Sequence, residues 1–126
     1  MTTIKQSRSV VIMGIFLLWA AGAADATDGI VCTGIVSSIG VHSTDRVMLR
    51  LSGMNTVVQI CALTQTLGST YPISADQCKA DYSTLVAAFL SGIYMTIFFY
   101  NVATGTSCSN FATCEVATLQ LVYLNQ

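Results

Sequence analysis

One predicted helix, at residues 75–91, constrains the fold of this chain more than any other feature of its sequence. Ser74 is a favourable N-cap, because its hydroxyl can accept a hydrogen bond from a free amide of the first turn, and Gln77 follows at the spacing of a capping box. Gly92 supplies a residue that adopts the left-handed conformation common at helix ends. Apolar residues recur at steps of four, three and four along one face: Cys78, Tyr82, Leu85 and Phe89. We expect these side chains to face the core.

Every other regular segment has the composition of a β-strand; most alternate, whereas residues 93–102 are too apolar to have a solvated face and are expected to form a central strand or one whose second face is covered by a neighbour. Three such segments precede the helix and two follow it: residues 29–42, 46–51, 57–63, 93–102 and 116–124. The first is long and contains Gly34 and Gly40, which indicates bends or bulges of the kind found in small barrels. The order β-β-β-α-β-β predicts a mainly β protein with one helix, an OB-fold whose five-stranded barrel is plugged at one end by the helix. A five-stranded α+β sandwich is the alternative.

The N-terminal segment has the features of a secretory signal peptide. Lys5 and Arg8 precede an apolar run at residues 10–21, and small residues follow it. We predict a signal peptide at residues 1–23, cleaved between 23 and 26, and a single OB-fold-like domain at 24–126. A membrane anchor is disfavoured, because the apolar run is about a dozen residues long and a spanning helix needs roughly 20. The mature protein is expected to be secreted or periplasmic, with no membrane span.

The five cysteines all follow the predicted signal peptide and indicate disulfides formed in an oxidising compartment. They include no Cys-x-x-Cys pair, and the chain has a single histidine, so neither a metal site nor a cofactor is expected. Our first choice of pairing is Cys61–Cys78, which would join the third strand to the first turn of the helix. Cys32–Cys108 comes next and would leave Cys114 free, while Cys108–Cys114 is the alternative that closes a short loop. The sequence leaves this choice open.

Charge and catalytic composition disfavour two classes of protein. Three basic residues remain after cleavage, Arg46, Arg50 and Lys79, and they are too few and too scattered to bind a nucleic-acid backbone. The acid–base groups of the mature chain are one histidine, one glutamate and a few aspartates, and neither a glycine-rich phosphate loop nor a Gly-x-Ser-x-Gly motif occurs. We therefore expect a protein that is not an enzyme and does not bind nucleic acid.

Uncharged hydroxyl, amide and aromatic side chains dominate the predicted surface. Such groups suit polyhydroxylated ligands, since they provide hydrogen bonds and rings for stacking. The candidates for ligand contact are Thr33, Ser37, Tyr100 and Asn101. The alternative is that these are ordinary strand and loop residues, because secreted loops are often rich in Ser, Thr and Asn without any ligand.

Four segments resemble the B subunit of subtilase cytotoxin and its typhoid- and pertussis-like relatives. Residues 28–36, with the sequence Asp-Gly-Ile-Val-Cys-Thr-Gly-Ile-Val, resemble the start of that family. Residues 60–62 resemble its third strand, 81–85 the start of its helix, and 91–100 its next turn and strand. The resemblance that these segments mark extends over about half of the mature chain, whereas the segment after residue 101 does not match well.

The resemblance implies a secreted OB-fold that assembles into a pentameric ring and binds sialylated glycans on host cells. In those toxins a first-strand serine directly before a glycine contacts sialic acid, and Thr33 before Gly34 holds that place here. This chain departs from the family by one extra residue between Gly29 and that position, and by lacking a second-strand cysteine to pair with Cys61. The alternative function is a monomeric, disulfide-stabilised domain, secreted or periplasmic, that binds a protein partner or has a structural role.

Overall fold

The computed structural model describes residues 28–125 and has a mainly β fold with one helix in that range. Its elements are β1 (Asp28–Val41), β2 (Arg46–Leu51), β3 (Val58–Ala62), α1 (Ala75–Ser91), β4 (Tyr94–Val102) and β5 (Thr118–Leu124). The predicted order β-β-β-α-β-β is confirmed, and each element begins and ends close to its predicted bounds. Within this range, α1 lacks the length and apolarity needed to cross a membrane. The predicted signal peptide, residues 1–23, lies outside the described residues.

The strands form one five-stranded antiparallel sheet in the order β3-β2-β1-β4-β5. The central strand, β1, pairs through its first half with β4 and through its second half with β2. Gly34 lies near the point where the two halves meet. Its φ is 151°, and a Cβ at this position would lie 2.6 Å from Ser52 Oγ, so a side chain would clash there. A register shift between Val36 and Ser38 follows, which is the kind of irregularity that the glycines of this strand predict.

The edge strands β3 and β5 approach each other without forming a ladder. One isolated parallel bridge joins Gln59 to Val116, just before β5 begins. There Gln59 N donates to Glu115 O at 2.8 Å, and Gln59 O accepts from Ala117 N at 2.9 Å. Because no strand ladder links β3 to β5 in the described chain, a closed five-stranded barrel is not confirmed.

The core lies between the inward-facing side chains of the sheet and one face of α1. In β2 and β4 every second residue is fully buried: Val47, Leu49 and Leu51, then Met95, Ile97 and Phe99. Burial of an apolar side chain of this size is worth roughly 1.5–3 kcal/mol. In β2 the alternation read from the sequence determines which side of the strand faces the core. The sequence of β4 is apolar on both sides, and its outer side is nevertheless partly exposed, with Tyr94 at 52%.

Capping residues fix both ends of α1. Ser74 Oγ accepts a hydrogen bond from Gln77 N at 3.2 Å, as predicted, and the N–H of Gly92, with φ of 65°, bonds Ala88 O. The side chain of Gln77 does not return to the cap as a capping box requires. Its Nε2 donates instead to Asp81 Oδ1 at 2.9 Å, one turn further along the helix.

The buried face of α1 differs from the predicted one at its C-terminal end. Cys78 and Leu85 are fully buried as expected, and Tyr82 packs partly buried against the core. Phe89 is 44% exposed, however, and Ala88 is buried in the same turn. Since the residues that follow Phe89 in the helix are also exposed, the last turn extends past the core. The apolar period predicts the face and leaves open how far the core reaches along it.

Two disulfides tie the sheet to the helix and to the loop between β4 and β5. Cys61 on β3 bonds Cys78 on α1, and Cys32 on β1 bonds Cys108 in that loop. The Cα–Cα distances, 5.5 Å and 5.8 Å respectively, are ordinary for disulfides. The alternative pairing of Cys108 with Cys114 is wrong, because Cys108 is bonded to the inward-facing Cys32 and Cys114 is a free, exposed thiol. Both bonds suit an extracellular or other oxidising compartment.

Candidate ligand-binding site

The residues predicted to contact a ligand do not converge on one point. Thr33 and Tyr100 lie on the same outer face of the sheet, where Thr33 pairs with Thr96 of β4. Tyr100 is four residues further along β4, so the two positions are about 13 Å apart at roughly 3.3 Å per residue. Ser37 lies beyond Thr33 in the opposite direction along β1, and Asn101 directly follows Tyr100.

Ser37 bridges two strands. Its Oγ donates to Arg50 O at 3.0 Å, next to the register shift between Val36 and Ser38. The hydroxyl therefore links β1 to β2 where regular pairing is interrupted. Contact between Ser37 and a ligand stays a prediction, and the structure does not bring this residue to Tyr100.

Asn101 holds the loop between β3 and α1 against β4 and β5. Its Nδ2 donates to Tyr71 O at 3.1 Å and to Thr118 Oγ1 at 2.6 Å, and its Oδ1 accepts from Thr70 N at 3.3 Å. The backbone of Asn101 is left-handed, with φ of 58°, a conformation that asparagine tolerates better than most residues. Both the Oδ1 and the Nδ2 atoms of Asn101 thus form hydrogen bonds within the protein, and these bonds position Tyr71.

The loop that Asn101 holds completes an aromatic cleft, lined by Tyr71, Phe98, Tyr100 and Gln120 and about 360 Å³ in volume. The rings of Tyr71 and Tyr100 lie 4.4 Å apart between centroids, inclined at 44°. Gln120 Nε2 donates to Tyr71 O at 2.9 Å, so the loop is also fixed from β5. Two of the predicted residues, Tyr100 and Asn101, thus meet at this cleft, one in its wall and one behind it.

Three separate elements supply the cleft. Alternation in β4 places Phe98 and Tyr100 on the outer face, opposite the buried Phe99. The loop brings Tyr71 alongside, and Gly68 permits the close approach, because a Cβ there would lie 2.8 Å from Asn101 Nδ2. Sequence reasoning did not select Phe98 or Gln120 as site residues. Alternation alone could have added Phe98, whereas Gln120 depends on the β4–β5 register, which shifts between Phe98 and Phe99.

The cleft lies at one end of a wider surface that we call the outer aromatic face. Its residues are Val31, Thr33 and Ile35 of β1, Tyr94, Thr96, Phe98 and Tyr100 of β4, and Tyr123 of β5. Their side chains are all uncharged, and those of Val31, Ile35, Tyr94 and Tyr123 are 41–53% exposed. Tyr94 Oη donates to Thr33 Oγ1 at 3.1 Å, and Phe98 packs edge-on against Tyr123 at 5.9 Å.

None of the four residues that line the cleft carries a charge. Lys79 pairs with Asp76 on the exposed side of α1 at 3.8 Å, and Arg50 Nε donates to Met54 O. Desolvation raises the pKa of Asp81 on α1, and the hydrogen bond from Gln77 opposes that rise. Across residues 28–125 no cluster of His, Cys, Asp or Glu is arranged to hold a metal ion. The cleft therefore offers stacking and neutral hydrogen bonds.

Replacing Asn101 with glycine is expected to lower the free energy of unfolding by about 2 kcal/mol, because three hydrogen bonds are lost while the left-handed backbone is still allowed. Denaturant titration measures the loss. Asn125→Gly is the matched control, since Asn125 is exposed and its side chain makes one bond, to Thr96 Oγ1. A loss at Asn101 no larger than at Asn125 would contradict the positioning role.

Comparison with protein-family models gives no match to this chain, and comparison with curated proteins gives none either. The resemblance to toxin B subunits therefore rests on the segments quoted above. Any functional conclusion has to come from the geometry of the cleft and of the outer aromatic face.

Proposed function

We propose that the chain is a secreted, non-enzymatic binding module that holds a glycan in the cleft of Tyr71, Phe98, Tyr100 and Gln120. The observation that carries this proposal is the pair of partly exposed tyrosine rings in contact, beside an amide, in an open cleft. The C–H faces of a sugar ring pack on aromatic faces, and its hydroxyls bond phenol and amide groups. A cleft of aromatic walls with a few polar groups is the usual form of a small-molecule site.

The proposed architecture for this module is the OB-fold barrel. Its support is the strand order, the helix between the third and fourth strands, and the parallel bridge between Gln59 and Val116. That bridge lies between β3 and the start of β5, which are the two edges that a closed barrel would join. The disulfides favour the secreted or periplasmic location that the N-terminal sequence predicts.

The toxin-like position, Thr33, supports an extended glycan site on the same surface. Thr33 is exposed, and its hydroxyl bonds the phenol of Tyr94. Because it lies about 13 Å along the strands from Tyr100, a glycan of several residues would be needed to reach both. Sialylated cell-surface glycans, which the resemblance implies, are ligands of that size class.

Assembly into a ring, also implied by the resemblance, is a separate proposal. Its support is the exposed apolar part of the outer aromatic face, since surfaces of this kind commonly mark interfaces. Light scattering on a sizing column, with the signal-free protein, tests it. A mass near five times that of the mature chain is expected for the ring, and the mass of one chain would reject it.

The second candidate function is a monomeric domain that binds a protein partner. The same exposed side chains, Val31, Ile35 and Tyr123 in particular, favour it. A monomer that binds no glycan but captures a partner only when this face is intact would support it over the glycan proposal.

A glycan array probed with two variants tests the main proposal. Tyr71→Ala removes a 46% exposed ring from the cleft, and Thr33→Ala removes the hydroxyl at the toxin-like position. Neither side chain is buried, so both variants are expected to fold, which thermal unfolding verifies. Tyr71→Ala is expected to weaken binding about tenfold, because stacking contributes roughly 1 kcal/mol or more.

The two variants separate the outcomes. Loss with Tyr71→Ala places the glycan in the cleft, and an additional loss with Thr33→Ala extends the site along β1. Loss with Thr33→Ala alone would keep the glycan function and move the site away from the cleft. A folded wild-type protein that binds no glycan would overturn the proposal.

A further inference from the structure

The geometry of the cleft and the absence of charged lining residues restrict which sugar it accepts. Resting on the proposed glycan function, we infer that it selects a neutral pyranoside of galacto configuration and excludes the carboxylate of a sialic acid. The evidence comes from the tyrosine pair, the lack of charge among the lining residues, and the polar atoms left free around them.

The tyrosine pair stacks on a sugar from one side. A pyranose held between two rings needs van der Waals contact of 3.5–4.0 Å on each face, so the ring planes must stand about 8 Å apart. Tyr71 and Tyr100 lie 4.4 Å apart between centroids. No sugar ring fits between them, and a ligand therefore packs one of its faces on the outer side of the pair.

One-sided stacking favours a sugar whose apolar hydrogens lie on one face. In galactose the axial O4 points to one side of the ring, and C3–H, C4–H and C5–H form a continuous apolar patch on the other. In glucose all ring hydroxyls are equatorial, and the C–H groups divide between the two faces. The galacto configuration thus buries more apolar surface against a single aromatic wall.

No residue that lines the cleft carries a positive charge that could pair with the carboxylate of a sialic acid. All four lining side chains are uncharged. Among the basic residues of the described chain, Lys79 pairs with Asp76, and Arg46 and Arg50 belong to β2, which β1 separates from β4 in the sheet. Removing a carboxylate from water without a compensating charge is costly. A neutral sugar avoids that cost.

Free polar atoms remain for the sugar hydroxyls. Gln120 uses its Nε2 on Tyr71 O, and its Oε1 bonds no other group of residues 28–125. The phenol groups of Tyr71 and Tyr100 likewise bond no other group in that range. A phenol both donates and accepts, and Oε1 accepts, so the rim of the cleft matches a polyol.

Titration of the ¹⁵N-labelled mature protein, followed by NMR, tests this inference with three probes. These are methyl β-D-galactopyranoside, methyl β-D-glucopyranoside and the methyl α-glycoside of N-acetylneuraminic acid. The galactoside is expected to shift the amides of Tyr71 and Gln120, with a Kd at least about threefold below that of the glucoside and tenfold below that of the sialoside. Tyr71→Ala is expected to remove those shifts.

Phe89→Ala is the matched control, because Phe89 is an aromatic residue of similar exposure, 44%, on α1 and belongs neither to the cleft nor to the outer aromatic face. Its Kd for the galactoside should equal that of the wild type. A sialoside that binds at Tyr71 and Gln120 as tightly as the galactoside would overturn the inference and leave the glycan function standing. If none of the probes binds and the glycan array is also negative, the proposed function fails together with the inference.

Discussion

Removing the Cys32–Cys108 disulfide, by replacing both residues with alanine, is expected to lower the free energy of unfolding by about 4.5 kcal/mol. The bond closes a segment whose ends are 76 residues apart. In the chain-entropy treatment, the constraint that a disulfide places on the unfolded chain grows with the length of the closed loop. Cys32 is also only 1% exposed, so its replacement removes apolar contacts as well.

The second disulfide supplies an internal comparison. Cys61 and Cys78 are 17 residues apart, and their joint replacement with alanine is expected to cost about 3 kcal/mol. Cys114→Ser is the control, because this cysteine is exposed and free, and its change should stay within about 0.5 kcal/mol. Denaturant unfolding of the mature protein under oxidising conditions measures all three.

The ranking of the variants tests the connectivity as well as the energies. If Cys114→Ser destabilises the protein as strongly as either double replacement, Cys114 takes part in a bond and the assigned pairing is wrong. Under full reduction the wild type should fall to the stability of a variant lacking both bonds. A wild type indifferent to reduction would show that neither bond forms in solution.

Local patterns were sufficient to predict the secondary structure. Alternation in β2 identifies the buried residues of that strand, and Ser74 and Gly92 mark the ends of α1. These local patterns agree with the structure because each depends on only a few neighbouring residues. The disulfide between Cys61 and Cys78 could also be predicted, because the two residues are close in sequence and belong to consecutive elements, β3 and α1.

The candidate site was harder to predict, because it depends on contacts between distant segments. Tyr71 lies in the loop between β3 and α1, and Tyr100 lies in β4. The two rings meet because Asn101, next to Tyr100, donates a hydrogen bond to the backbone of Tyr71. Gln120 reaches the cleft from β5 after a shift in pairing with β4. Ligand contact by Asn101 stays a prediction, and the hydrogen bonds that its amide makes to Thr70 and Thr118 depend on long-range contacts that the sequence does not show.

Leu85→Ala is expected to lower the free energy of unfolding by about 3–4 kcal/mol, because it leaves a cavity where α1 packs into the core. Leu85 is fully buried, whereas Phe89, on the same predicted face, is 44% exposed. Phe89→Ala is therefore expected to cost only about 1.5 kcal/mol, in proportion to the smaller area that it buries. Thermal and denaturant unfolding of the mature protein measure both.

Leu90→Ala provides the baseline, since Leu90 is 77% exposed in the same turn as Phe89, and its change should remain within about 0.5 kcal/mol. The sequence pattern alone places Leu85 and Phe89 equally in the core and therefore predicts similar losses of unfolding free energy for the two variants. The structure predicts a larger loss for Leu85→Ala than for Phe89→Ala. Equal losses at Leu85 and Phe89 would mean that the last turn of α1 is covered in solution. If that excess loss at Phe89 disappears on dilution, the cover is a second copy of the chain, since association depends on concentration while intramolecular packing does not.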